Sequence, residues 1–418
     1  MNKNAYDLAF ECLHESAEYG VLHQTTNDIG HSVNIKGKTL LNFSVCDYLA
    51  LSQDERIKQG AIKAIEKYGV YTAVSHGYFK LNIYEEAEDL LSQIFNKPVL
   101  IFPRTTIAHL GVIPVLINRD DAVLLDHQVH TSVRMAANLL VSSGVYIETI
   151  RHNAMDILED RIRELSTRYK KIWYLADGVY SMYGDMLPHK RLQELLTRYE
   201  QFHLYVDDAH GMSWKGDNGK GFLLDKMPHL HNMVVVTSLG KGFGAGGGAV
   251  VCYDKKMAEY LVTCAPPLNF TSPVSPANLG AIIESAKVHL SDEIISRQKQ
   301  LKEKIDCFYS KAKELNIPLL NDPRAPISFV ATGKPDMCRE ICYNLMEKGF
   351  YTNVSHYPAV PLNNSGIRVV LNLYQNKEAI LQLVTALKEE YDKSLAKRNL
   401  AVENITKHYK QGTVSICD

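Results

Sequence analysis

Residues 204–211 read Leu204-Tyr205-Val206-Asp207-Asp208-Ala209-His210-Gly211: an apolar run of strand type, closed by two carboxylates, a small residue, an imidazole and a glycine. Runs of the same kind lie on both sides of it. Taken together they fall at 99–102, 122–126, 145–150, 172–177, 203–207, 234–237 and 249–252, with longer amphipathic stretches between them. Short β-branched or aliphatic runs alternating with helical patterns predict strands joined by crossover helices in a mostly parallel sheet, an α/β fold of about seven strands with helices on both faces.

In such sheets ligands gather at the carboxyl ends of the strands, where the loops carry chemistry. The polar residues of this chain collect there. Besides Asp207-Asp208-Ala209-His210, the strand ends supply Asp126-His127-Gln128-Val129-His130, Asp177-Gly178-Val179-Tyr180-Ser181 and Thr237-Ser238-Leu239-Gly240-Lys241. Four strand ends loaded with ionisable or hydroxyl groups predict one convergent site.

Working outward, residues 1–45 read as an N-terminal arm with one helix from about residue 5 to 19, and 46–285 as the large domain. Residues 286–418 read as a smaller α+β domain with a polar tail after Lys393. Its predicted elements are helical patterns over 285–315, a strand at 327–332, a helix over 336–348 and a strand at 367–372. A chain of 418 residues suits one large domain and a smaller one better than a single core. The formal net charge of -1 gives no global field for nucleic acid or an anionic membrane. No apolar run reaches the ~18–20 residues that span a bilayer. Eight cysteines without CxxC pairs, and a start lacking the pattern of a signal peptide, point to a reduced, cytoplasmic setting. Cys338 and Cys342 share a helical spacing but lack a second pair that would make them metal ligands.

Lys241 follows a strand among glycines, where backbone can approach a ligand and a lysine can lose its proton to become a nucleophile. Asp207 lies 34 positions earlier at the same predicted sheet edge. A carboxylate there could keep a pyridine nitrogen protonated, making the ring an electron sink; helix N-cap and metal ligand are its other readings. His130 and His210 offer a ring to stack on a planar cofactor and a hydrogen bond to a phenolic oxygen. Thr106, with Thr105 beside it, stands where a helix begins and its amides would attract a phosphate, and Ser181 and Ser238 add hydroxyls.

In this order, Asp126…His130-Thr-Ser, Asp177-Gly-Val-Tyr-Ser181-Met, Asp207-Asp-Ala-His210-Gly, Gly216…Gly219…Gly221 and Ser238-Leu-Gly-Lys241, the chain resembles the α-oxoamine synthases, pyridoxal-phosphate (PLP) enzymes of aminotransferase fold type I, from about residue 41 to 387. The resemblance implies PLP held by Lys241 as a Schiff base, Asp207 paired with the pyridinium nitrogen and His130 stacked on the ring. It places Ser181 and His210 near the ring hydroxyl, Ser238 near the phosphate, and Thr271 and Ser272 at the phosphate of a neighbouring subunit, hence a homodimer with shared sites. Arg368 matches the arginine that grips the amino-acid carboxylate. The implied activity is acyl transfer: condensation of an amino acid with an acyl thioester, on CoA or acyl carrier protein, with loss of carboxylate to give an α-aminoketone.

The departures gather on the substrate side. Cys46 stands where the family has an asparagine, Ser75-His76 replaces a Ser-Arg pair, and Arg104-Thr105-Thr106-Ile107 before Ala108-His109 replaces a Ser-Gly-aromatic loop before Ala-Asn. Cys46, His76, Arg368 and Asn372 are therefore the expected substrate-binding residues. An acidic amino acid such as cysteate, for a sulfonolipid precursor, a long-chain serine condensation and signal-molecule synthesis all fit that pattern. An aminotransferase or lyase needs the same lysine and aspartate without a thioester. A metal hydrolase could use Asp126, His130, Asp207, Asp208 and His210.

Overall fold

The computed structural model describes residues 4–320 and 325–410. Thirteen strands occur among them. Two short ones, β1 (Ser32–Ile35) and β2 (Lys38–Asn42), precede the run β3 (Val99–Phe102), β4 (Ala122–Asp126), β5 (Tyr146–Ile150), β6 (Ile172–Asp177), β7 (Phe202–Asp207), β8 (Met233–Ser238) and β9 (Gly248–Val251). They are followed by β10 (Ile327–Gly333), β11 (Phe350–Tyr351), β12 (Asn353–Ser355) and β13 (Ser365–Val370).

The chain divides into two compact units. One comprises Leu51–Tyr180 and Met186–Gln298 and is built on a seven-stranded sheet of order β3-β9-β8-β7-β6-β4-β5. The pairs from β5 through β8 are parallel, and β9 runs antiparallel to both β8 and β3. Every residue of β3, β4, β6, β8 and β9 is buried, as a sheet covered on both faces requires. The side chains of Phe102, Val112, Leu125, Leu175, Tyr205, Val236 and Val250 belong to one apolar core. Each such side chain taken from water contributes about 1.5–3 kcal/mol before chain entropy is set against it. The predicted mostly parallel seven-stranded sheet is the observed one, with single-residue differences at six ends of four strands.

The other unit comprises Met1–Ala50, Ser181–Asp185 and Lys299–Asp418. Its sheets are β1-β2-β11 and β10-β13-β12. The first fifty residues group here because β2 pairs in parallel with β11, Leu41 opposite Phe350. The stretch after Lys393 is ordered into helix: Lys377–Arg398 continues through it, and a further helix, Val402–Lys410, follows. That last helix buries Ile405 and Tyr409, and the Tyr409 hydroxyl accepts from the Gly333 amide at 3.0 Å. The polar tail is thus helical up to residue 410, because apolar residues one turn apart give it a face to bury. Residues 411–418 lie outside the described part. Among the described residues no helix is long and apolar enough to cross a membrane.

Candidate active site at the strand ends

Parallel pairing sets Asp177 opposite Asp207 at the ends of β6 and β7, and Asp207 opposite Val236 of β8. Two buried carboxylates on neighbouring strands cannot both ionise cheaply. The site separates them. Burial opposes charge on Asp207, but the imidazole of His109, whose Nε2 donates to Oδ2 at 2.9 Å, and the nearby Lys241 outweigh it and hold the carboxyl at about 2. The Ala209 amide donates to Oδ1 at 3.0 Å. Asp177 goes the other way: burial, and then the charge of Asp207, push it well above the usual carboxylate range. The result is one fixed anion beside one neutral acid, the pattern by which enzymes assign roles to paired carboxyls.

Lys241 follows β8 directly and is half-buried, and its charge acts on Asp177, Asp207 and His130. His130 sits at the start of the helix Thr131–Asn138, its own amide donating to Asp177 Oδ1 at 3.0 Å. Its Nδ1 accepts from the Ser132 amide at 3.3 Å and lies 2.7 Å from the Ser132 hydroxyl, which leaves the proton of the neutral ring on Nε2. Although the residue has exposed surface, crowding around the ring lowers its pKa, so the neutral form prevails.

Thr105 and Thr106 open the helix Thr105–Leu116, whose N-cap, Arg104, makes no side-chain hydrogen bond to its amides. Those amides are the positive end of a helix dipole, open to an anion. β9 approaches so closely that a Cβ at Gly248 would lie 2.6 Å from the Thr105 nitrogen. Ser238 ends β8, buried, its Oγ accepting from the Gly240 amide at 3.2 Å. His210 is buried and its carbonyl accepts from Trp214 Nε1 at 2.6 Å. Thr271 and Ser272 are exposed, the Thr271 hydroxyl donating to the Pro267 carbonyl at 2.8 Å. His76 packs edge-on against Tyr84, ring centroids 4.4 Å apart, with Nε2 buried and without a partner.

Asp208 is spent on structure. Its Oδ2 accepts from the Leu223 amide at 3.0 Å, Oδ1 has no partner, and burial pushes the carboxyl up to about 8. Gly178, Gly211 and Gly221 surround the group, and a Cβ on any of the three would collide with a carboxyl oxygen. Asp126 is equally committed, accepting from His152 Nδ1, the Asn153 amide and the Tyr174 hydroxyl at 2.7–2.9 Å. Among the described residues no three His, Cys, Asp or Glu side chains converge as metal ligands.

The other unit gathers a second set. Arg368, central on β13 and buried, donates from Nε to the Ser181 carbonyl at 2.7 Å and from Nη2 to Cys46 Sγ at 3.4 Å. Tyr48 is buried alongside, its phenol kept protonated by burial and by Cys46. Ser181 and Arg368 line a cavity of about 320 Å³ with Val21, Leu22, Tyr351 and Ser355. Asn372 is fully buried, its Nδ2 donating to the Val45 carbonyl and its Oδ1 accepting from the Tyr374 amide.

The first unit's donor set fits PLP on three counts. A buried carboxylate held ionised suits a pyridinium nitrogen, an uncapped helix N-terminus suits a phosphate, and a half-buried lysine stands at the end of the strand next to the carboxylate's. The sequence names Lys241, Asp207 and His130 as cofactor residues but does not point to His109 as the partner of Asp207. The only signal was that His109 occupies the asparagine position of the related motif.

The model of the family described as "Aminotransferase class I and II" matches residues 38–387. An 8-amino-7-oxononanoate synthase from Petrotoga mobilis is 31% identical over 355 residues, 84% of this chain and 88% of that protein. One from Thermosipho melanesiensis is 30% identical over 347 residues, 82% of this chain and 86% of that protein. Among solved structures, a serine palmitoyltransferase from S. paucimobilis with a bound PLP–myriocin adduct shares the fold at TM-score 0.86 and 20% identity, covering 94% of this chain and 98% of that one. The 8-amino-7-oxononanoate synthase of Francisella tularensis does so at TM-score 0.70 and 21% identity, covering 85% and 98%. With a family model spanning residues 38–387 and full-length relatives at 30% identity and above, the chain belongs to the aminotransferase class I and II family, in its α-oxoamine synthase group.

Proposed function

We propose that this PLP-dependent enzyme is a C-acyltransferase, joining an amino acid to an acyl thioester with loss of the amino acid's carboxylate. The observation that carries the reading is the buried Asp207 carboxylate, held by His109 Nε2 at 2.9 Å and the Ala209 amide at 3.0 Å, at the end of the strand next to the one that leads to Lys241. Bound PLP supplies an electron-withdrawing ring and a carbonyl carbon that captures an amine. The protein's residues do the rest. Asp207 keeps a proton on the ring nitrogen because a carboxyl held near pH 2 does not compete for it. Lys241 would hold the cofactor and, once freed, is placed to take the proton from the substrate Cα as general base. His130, neutral, would pack against the ring of a bound cofactor without adding charge. The amides of Thr105 and Thr106, with Ser238, take the phosphate. Arg368 offers a buried guanidinium to the amino-acid carboxylate.

The acyl donor is a thioester of CoA or acyl carrier protein. The substrate-side residues Cys46 and His76 favour an amino acid other than the family's usual ones, with cysteate and serine the first to try and lipid or signal-molecule synthesis as the setting. A second copy of the chain completes the site: Val70, Tyr71, Tyr78, Phe79 and Phe270 are more than half exposed and lie in segments joined by the bond from the Ser75 hydroxyl to the Asn269 carbonyl. Thr271 and Ser272 follow in the same segment.

The test is to supply amino acids singly with acyl-CoA of increasing chain length and to follow free thiol. Thiol release that needs both substrates and Lys241 supports acyl transfer. Keto-acid formation without a thioester would establish an aminotransferase instead.

A further inference from the structure

Tyr205 and Asp207 are two residues apart on β7, so both side chains leave the same face of the sheet. The helix Thr105–Leu116 lies against the same apolar core and presents His109 one turn from its start. The three side chains meet there. His109 Nε2 is 2.9 Å from Asp207 Oδ2, and His109 Nδ1 is 2.7 Å from the Tyr205 hydroxyl. All are buried: His109 is 0%, Tyr205 1% and Asp207 6% exposed. A carboxylate only accepts, so Nε2 carries a hydrogen toward Asp207. On the other side of the ring Nδ1 shares a hydrogen bond with the Tyr205 hydroxyl, which burial, with Asp207 nearby, keeps protonated.

We propose that His109, braced by Tyr205, is a positioning residue for Asp207, locking the carboxylate's rotamer and its charge for the cofactor's ring nitrogen. This rests on the PLP reading above and goes beyond it, since the related motif has asparagine at this place. An asparagine amide can donate to the carboxylate, but it lacks the rigid second ring nitrogen that His109 holds 2.7 Å from the Tyr205 hydroxyl. The histidine therefore ties the charge of the cofactor's partner to a second buried group. The same helix carries the uncapped amides of Thr105 and Thr106, so one rigid element supports both the phosphate end and the ring-nitrogen end of the site.

The experiment is a double-mutant cycle read as PLP affinity of the apoprotein, by quenching of tryptophan fluorescence, with the visible absorption band of the reconstituted protein as second readout. His109→Phe removes both hydrogen bonds and is expected to weaken PLP binding tenfold or more and to make the band's wavelength pH-dependent between pH 6 and 9. Tyr205→Phe, which deletes one oxygen, is expected to weaken binding two- to fivefold. His109→Asn, which keeps the donor to Asp207, is expected to stay within threefold of wild type. In an Asp207→Asn background, His109→Phe is expected to change affinity by less than twofold. Equal factors in both backgrounds would show that His109 acts through packing alone and overturn the proposal. Should His109→Phe not fold, the Tyr205→Phe and Asp207→Asn pair gives the same cycle. A wild-type apoprotein that takes up no PLP overturns the functional reading and this one together, whereas PLP uptake that depends on Lys241 and Asp207 but not on His109 overturns this one alone.

Discussion

Replacing Asp208 by asparagine tests whether the buried carboxyl next to the active-site anion is neutral. In the folded protein Asp208 keeps its proton to about pH 8, because burial outweighs the backbone amides of Leu223 and Phe222 and Oδ1 has no partner. In the unfolded chain it titrates near ~3.9. Between those values the folded state binds more protons than the unfolded one, so the free energy of unfolding falls as pH rises. A group raised in this way contributes its full stability only below the unfolded pKa and loses it progressively up to the folded one. The slope is about 1.4 kcal/mol per pH unit, so roughly 5 kcal/mol separates the contribution at pH 4 from that at pH 8. Asparagine has the shape of the neutral acid and no proton to lose. Asp208→Asn should therefore gain on wild type by about 1.4 kcal/mol per unit from pH 5 to 7.5. The assay is urea unfolding followed by the fluorescence of Trp214, four residues after His210, with the variant and wild type compared at each pH so that the titrations they share cancel. A difference that stays flat over that range would mean that Asp208 is ionised in the folded protein and that the argument from burial is wrong.

Lys241→Ala should abolish the visible absorption of the purified protein and all thiol release, and an unchanged spectrum would remove Lys241 from its role. Arg368→Ala should raise KM for the amino acid by about 10- to 100-fold with a smaller change in kcat, the loss of a charge-assisted hydrogen bond to a carboxylate; a steady-state titration of the amino acid at saturating thioester checks it. Gly211→Ala should destabilise the fold by at least about 1–3 kcal/mol, since the added methyl meets the Asp208 carboxyl and the Phe222 amide; thermal unfolding shows it, and wild-type stability would contradict the packing described. Cys46→Asn, restoring the family's residue beside Arg368, should shift the order of preferred amino acids in the thiol-release assay.

The strands of the large sheet are legible because a covered parallel sheet demands unbroken apolar runs, and Leu204-Tyr205-Val206 or Val234-Val235-Val236 can satisfy little else. β1, β2, β11 and β12 are two to five residues long and carry no such signature. Lys241 and Asp207 are legible because glycines and strand ends announce them locally. His109 is not, since its partners lie 96 and 98 positions away and only the register of β7 brings them to it. In the sequence Asp208 reads as one of the ligands a metal hydrolase could use. Gly178 from the loop after β6, and Gly211 and Gly221 from the connection after β7, close around it instead, a fact of tertiary packing alone.

The alternation along β7 sets a condition on folding itself. Leu204 and Val206 leave one face of the strand while Tyr205 and Asp207 leave the other. A slip of one residue against β6 or β8 would exchange the two sets, carrying the ionised carboxylate to the side away from His109. A misregistered sheet would then be both less stable and unable to hold the cofactor, so cofactor uptake reports on whether the chain has zipped correctly.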